Sequence, residues 1–185
     1  MLQLQKSTDS YILHLQKLIE NTSFYSKKVV FSSIELDFCN WKKLPAEIAK
    51  LENVLYYIAI DNSNEIKPIN ICNIIQSFKN EKGQTIKFPK ITGSNSDFSS
   101  NILYIGKSKG KLKERFRSHL NISPRGTYGL HLEYWKNNKI LKNLKLQLFY
   151  ATVPLSPDDI GTDILEILES GLHYEYKPLL GRSGH

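Results

Sequence analysis

The sequence predicts an α+β fold. Three strand-like runs stand at 54–60 (VLYYIAI), 101–106 (NILYIG) and 144–153 (LKLQLFYATV). The last alternates apolar and polar residues as a half-buried strand does. Segments with helical spacing separate and follow them; in one, Leu112, Phe116 and Leu120 recur at i, i+4 and i+8. The length, 185 residues, suits one domain, or a core with an extension, and allows a sizeable interior.

Taken in order, residues 8–22 open with Thr8, Asp9 and Ser10 as candidate caps and continue with Ile12, Leu15, Leu18 and Ile19, an amphipathic helix. Val29 to Phe38 reads as a strand. Residues 44–51 (LPAEIAKL) allow a short helix with Pro45 in its first turn. These first 53 residues form an N-terminal extension before the core at 54–185. Residues 61–100 form an insertion, with a short helix over Pro68 to Phe78 and a loop-like remainder marked by Gly83, Pro89, Gly93 and SNSDFSS. A long loop beside an active strand reads equally as functional or as merely tolerated at a surface. After the basic helix, SPRGT breaks the chain and TYGLHLEYW starts another helix, with Leu130, Tyr134 and Trp135 as core and His131 as structural or exposed. The final helix is PDDIGTDILEILESGLHYEY, packing Ile160, Ile164, Ile167 and Leu168 inward.

Charge is uneven along the chain. The net charge is +7, but residues 101–150 hold 11 Lys or Arg against two acids, while residues 151–185 hold two against six. Such asymmetry favours a polyanion as partner, nucleic acid first and an acidic membrane surface second. Cys39 and Cys72 form no CxxC or Cys/His cluster, so reduced thiols are expected rather than a disulfide framework or zinc site. The first 20 residues lack the apolar core of a signal peptide, and no run of about 18 apolar residues occurs. A soluble, cytoplasmic protein without a membrane partner is expected.

The stretch Asn101 to Leu120 joins an apolar strand, a glycine turn and a basic helix. Arg115 and His119 share a face beside the apolar stripe, the outline of a phosphate-handling site, whereas Arg117 points roughly the opposite way. The order of motifs resembles the GIY-YIG nuclease domain. Val54-Leu55-Tyr56 stands for the first motif, with Tyr57 following; Tyr104-Ile105-Gly106 stands for the second; Leu112, Arg115 and His119 fit the helix pattern L-x-x-R-x-x-x-H. The closing LEILESGLHYEYKPLLG fits the helix that carries the family's Glu, with Leu172 and Pro178 as landmarks, and its register selects Glu169 with Glu166 as second choice. The departures are Val54 in place of Gly, the insertion between the two tyrosine strands, and Gly181 where many members have Asn.

The resemblance implies a small, central, mainly antiparallel three-stranded sheet flanked by helices. It also implies a divalent-metal-dependent endonuclease, nearest in size to stand-alone restriction-type enzymes, that hydrolyses DNA to leave a 5′-phosphate and a 3′-hydroxyl. On that reading Glu169 holds one divalent cation, Mg²⁺ or another such as Mn²⁺, which fits the lack of an acidic cluster. Arg115 meets the phosphate, Tyr56 orients or deprotonates water, and Tyr104 and His119 complete the hydrogen-bond network. A free Tyr has a pKa of about 10, so a base role needs help from metal or cation. Lys107, Lys109, Lys111, Lys113 and Arg117 form the expected DNA-binding surface. One site cuts one strand, so double-strand cleavage implies a homodimer or successive nicks. Singly, each of these residues has a plain structural role. A non-catalytic nucleic-acid-binding module of the same fold is the alternative, and a membrane- or protein-interaction domain would explain the basic face but not the ordered Tyr, Arg, His and Glu.

Overall fold

Val54–Ile60 (β2) lies at the centre of the sheet and buries six of its seven residues. Covered on both faces, it reads as a continuous apolar run rather than an alternating one. The computed structural model describes residues 4–36, 44–61, 65–92, 98–120, 128–156 and 161–181, with the side chains of 161 and 162 outside that set. On one side β2 pairs antiparallel with Ile102–Ser108 (β3), Tyr56 opposite Gly106; on the other it pairs antiparallel with Leu146–Thr152 (β4), Tyr56 opposite Tyr150.

The fold is α+β, but its antiparallel sheet has four strands rather than the three expected. Ser32–Leu36 (β1) adds to β4, giving the order β1-β4-β2-β3. This strand comes from the N-terminal extension, so residues before 54 belong to the sheet itself. Its sequence, SSIEL, leaves an edge that is polar and largely exposed, which discourages pairing with a further chain.

Two layers of helix cover the sheet. Leu4–Ser26 (α1) and Gly161–Tyr176 (α6) lie on one face, where Leu18, Tyr25, Leu55, Val153, Ile164 and Leu165 cluster. The other face carries Ala46–Ala49 (α2), Pro68–Lys79 (α3), Leu112–His119 (α4) and the single turn Leu132–Trp135 (α5).

Several boundaries differ from those the sequence predicts, for local reasons. Helix α1 begins before Thr8, whose hydroxyl bonds back to the Leu4 carbonyl, so Thr8 lies inside the helix instead of capping it. Its predicted apolar stripe is mostly exposed: of Ile12, Leu15, Leu18 and Ile19, only Leu18 is buried. Helix α5 is cut short because His131 takes a left-handed conformation, φ 52°, immediately before it. In α6, Ile167 stays 40% exposed and Leu165 takes the buried place, since 164, 165 and 168 share a helical face that 167 leaves. The expectations for Cys39, Gly93, the whole of SPRGT and Ile160 lie outside the described residues.

The insertion is built into the core. Helix α3 starts on Pro68 and buries Ile71, Cys72, Ile75 and Phe78. Burial pushes the Cys72 thiol up to about 11, so it sits there as an inert, protonated side chain. Phe88 packs on Phe78, Tyr134 and the edge of His131. Beyond it, Ile91 bridges Leu180, while the Leu179 and Leu180 amides donate to the carbonyls of Ile102 and Leu103. The insertion and the C-terminal segment thus extend the sheet past β3. Among the described residues no helix is long and apolar enough to cross a membrane.

Candidate active site

Helix α4 is seated by its apolar stripe. Leu112 and Phe116 are fully buried, Leu120 nearly so, and the Leu112 amide donates to the Leu51 carbonyl. That seating turns Arg115 and His119 toward the two strand tyrosines. Arg115 Nε donates to Tyr56 Oη at 3.1 Å and Nη2 to Tyr104 Oη at 2.6 Å. His119 Nε2 lies 2.8 Å from Tyr56 Oη. The Leu130 amide donates to His119 Nδ1 at 3.3 Å, so the proton of the neutral imidazole belongs on Nε2, which donates to Tyr56. Tyr56 oxygen then accepts from both Arg115 and His119, and its own proton is left for another acceptor.

Strand alternation decides between the adjacent tyrosines. Tyr56 points to the α4 face, while Tyr57 points to the opposite one and stacks on Phe149 at 4.5 Å between centroids. Gly106 makes the tyrosine pair fit. A Cβ there would lie 2.6 Å from Tyr56 Oη and 2.9 Å from Tyr104 Cε1, so the two rings occupy the space a side chain would need.

Burial sets the protonation of the cluster. It raises the pKa of Tyr56 and of Tyr104 above the ordinary phenol value, with Arg115 opposing in both. The tyrosines in turn raise Arg115, Tyr56 most of all, so the guanidinium stays charged. Burial, then Arg115 and His131, hold His119 well below the ordinary value. At neutral pH the site therefore carries one fixed cation wired to two neutral phenols and a neutral imidazole.

Glu169 arrives from the opposite face on α6. Its carboxylate is 10% exposed and Oε2 meets Lys107 Nζ at 2.5 Å; Glu166 is more exposed and lies 3.5 Å from the same amine. Glu169 is near enough to Tyr56 and Tyr104 to raise both phenols, though less than burial does. Among the described residues no group of three His, Cys, Asp or Glu is placed to hold a metal. The donor set fits a hard cation held by one carboxylate with water and substrate completing its shell, provided Lys107 shares or releases Oε2.

The five basic residues expected to form an outer surface do not behave alike. Lys107 turns inward, its side chain 23% exposed, because alternation along β3 puts it on the α6 side with Ile105. Arg117 pairs with Glu114 at 2.8 Å on the surface, and Lys113 lies 3.9 Å from the same carboxylate. Lys109 and Lys111 are exposed. His131 is fully buried at the start of α5, its Nε2 3.3 Å from the Lys87 carbonyl, and so ties the insertion to the core.

No protein-family model, curated protein or solved structure matches this chain. Its function has to be read from the geometry of the site itself. Two features of that site have little trace in the sequence. One is His173, a turn beyond Glu169: its ring bonds to the Ile105 backbone, burial lowers its pKa, and Nε2 has no partner among the described residues. The Glu169/His173 spacing of four on a helix is its only signal. The other is a cleft of about 650 Å³ beside Arg115 and Tyr104, lined also by Lys79, Phe88, Pro89, Lys90, Tyr128 and Gly181.

The buried His119 makes the fold acid-sensitive. Its native pKa lies well below 6.5, so as pH falls under that value the unfolded chain binds a proton that the native chain does not. Stability should rise with pH up to about 6.5 and fall below it, by up to about 1.4 kcal/mol per pH unit from this one residue, with His173 adding in the same direction. Denaturant unfolding across that range checks this, and His119→Gln should show the flatter profile. An equal slope in both chains would place the sensitivity elsewhere.

Proposed function

We propose that the chain is a divalent-metal-dependent DNA endonuclease on a GIY-YIG-like core, leaving a 5′-phosphate and a 3′-hydroxyl. One observation carries the reading: Tyr56 from β2, Tyr104 from β3, and Arg115 and His119 from α4 join in one hydrogen-bonded cluster over Gly106. Those are the positions that the motif resemblance selects.

Arg115 is the phosphate ligand. Its guanidinium lines the cleft while two of its nitrogens are fixed by the tyrosines, so it meets an incoming oxygen already oriented. Tyr104 donates to the same phosphate. Tyr56 is fully buried, and its raised pKa disfavours deprotonating water; its oxygen instead holds the Arg115 guanidinium in place. His119 keeps the Tyr56 oxygen in register. Glu169 would hold the divalent cation, which would supply polarisation of the phosphate and relief of charge on the leaving oxygen.

A second reading, a nucleic-acid-binding module without catalysis, is favoured by the close Lys107–Glu169 pair, which already occupies the first-choice metal anchor. Supercoiled plasmid incubated with Mg²⁺, with Mn²⁺ and with EDTA separates the two. The nuclease reading expects relaxed circles only with metal, and nicks that a DNA ligase reseals directly. Salt-sensitive binding without nicking in any divalent ion selects the binding module.

A further inference from the structure

We propose that the cleft beside Arg115 receives one unpaired nucleotide of the DNA strand, its phosphate held by Lys79 and Lys90 and its base stacked on Tyr128. This rests on the nuclease reading and adds a substrate class to it: DNA with an unpaired or extruded nucleotide next to the cut.

Charge points to an anion. Lys79, Lys90 and Arg115 face one recess that, among the described residues, no acidic side chain lines. Neither Lys79 nor Lys90 forms an ion pair among the described residues. They lie near enough that Lys90 adds to burial in lowering the Lys79 pKa, so two ammonium groups repel across the recess until an anion enters.

Rigidity points to a built site. The Lys90 carbonyl accepts from the Gly181 amide at 2.8 Å, and the Thr92 amide donates to the Leu179 carbonyl at 3.0 Å. Leu179 and Leu180 hang in turn on β3, the strand that carries Tyr104. Lys79 ends α3, whose Phe78 is locked against Phe88 and Tyr134. The backbone at both lysines is thus fixed relative to Arg115 by core packing and backbone pairing.

Shape selects a nucleotide over a duplex. A duplex backbone needs only a shallow basic track, whereas about 650 Å³ falls in the range that encloses a small molecule. Tyr128 stands at the mouth, 62% exposed, with Lys87 Nζ 5.6 Å from its ring centroid. An exposed aromatic flanked by cations is the arrangement on which unpaired bases stack.

Fluorescence anisotropy in EDTA, where the parent does not turn over, tests this with three probes: a short oligothymidylate, a fully paired duplex, and that duplex with one bulged thymidine. Tyr128→Ala should weaken the first and third by roughly 5-fold or more, the loss of one base–aromatic stack, and leave the paired duplex within about 2-fold. Tyr128→Phe should bind as the parent does. The Lys79→Ala/Lys90→Ala chain should lower the salt slope on oligothymidylate by about 0.7, one phosphate contact. Equal losses on paired and unpaired probes, or no loss on any, would overturn the subsite while a parent that still nicks plasmid keeps the nuclease reading. A parent that binds no probe at any salt overturns both.

Discussion

Replacing Glu169 by Ala is expected to abolish metal-dependent nicking of plasmid DNA, and Arg115→Ala to slow it by about 100-fold or more. Glu169 is the nearly buried carboxylate of the α6 pair; Glu166 is the more exposed one, and Glu166→Ala should stay active. Removing Glu169 frees Lys107 to swing to Glu166, so the half-buried cation keeps a partner and the fold should survive. Glu169→Gln keeps the side-chain volume and should be equally inactive, which separates lost chemistry from lost packing. DNA affinity should hold or rise slightly, since a negative charge near phosphate has gone. Arg115→Lys is a sharper probe of the cluster. One ammonium cannot reproduce the two directed bonds from Nε and Nη2, so most of the loss should remain. A Glu169→Ala chain that cuts like its parent beside an inactive Glu166→Ala chain would move the metal anchor back by one helical turn.

The parts of this site legible in the sequence are those set by short-range pattern. The i, i+4, i+8 stripe of α4 predicts which way Arg115 and His119 turn, because three buried side chains fix a helix's rotation whatever lies around it. Motif register places Tyr56 and Tyr104, and strand alternation explains why Tyr57 cannot substitute. Lys107 is misleading because it opens the basic run KSKGKLK, and composition alone assigns the run to one surface. The run is split by structure: Lys107 still belongs to β3, whereas Lys109 lies beyond it. Least legible is what depends on distant pairing. Neither the addition of β1 to β4 nor the stitching of residues 91 and 180 to the edge of β3 has a local signature. The insertion consequently looks optional in the sequence, although Ile71 and Ile75 help build the core and Phe88 both the core and the wall of the cleft.

Gly106→Ala should cost about 1–3 kcal/mol of stability, the range of overpacked cores, and slow nicking as far as Arg115→Ala does. The added methyl would lie 2.6 Å from Tyr56 Oη, 2.7 Å from Tyr56 Cζ and 2.9 Å from Tyr104 Cε1, closer than carbon can approach. The two closest of these atoms belong to Tyr56, which is fully buried between Phe116 and His119, so relief requires its ring to shift against tightly packed neighbours. Tyr104, whose ring borders the cleft, must move away from Gly106 as well. Those shifts disturb the bonds from Arg115 Nε and Nη2 to the two phenols, free the guanidinium and cost the cluster its preorganisation, which is why a substitution that removes no functional group should still cost rate. Gly110→Ala is the matched control four residues along, with nothing within 4 Å of its added Cβ, and should be neutral in both readouts. Denaturant midpoints and nicking rates measured on the three chains decide the matter. A Gly106→Ala chain that matches its parent in rate would mean that the tyrosine–arginine cluster does not perform the cleavage.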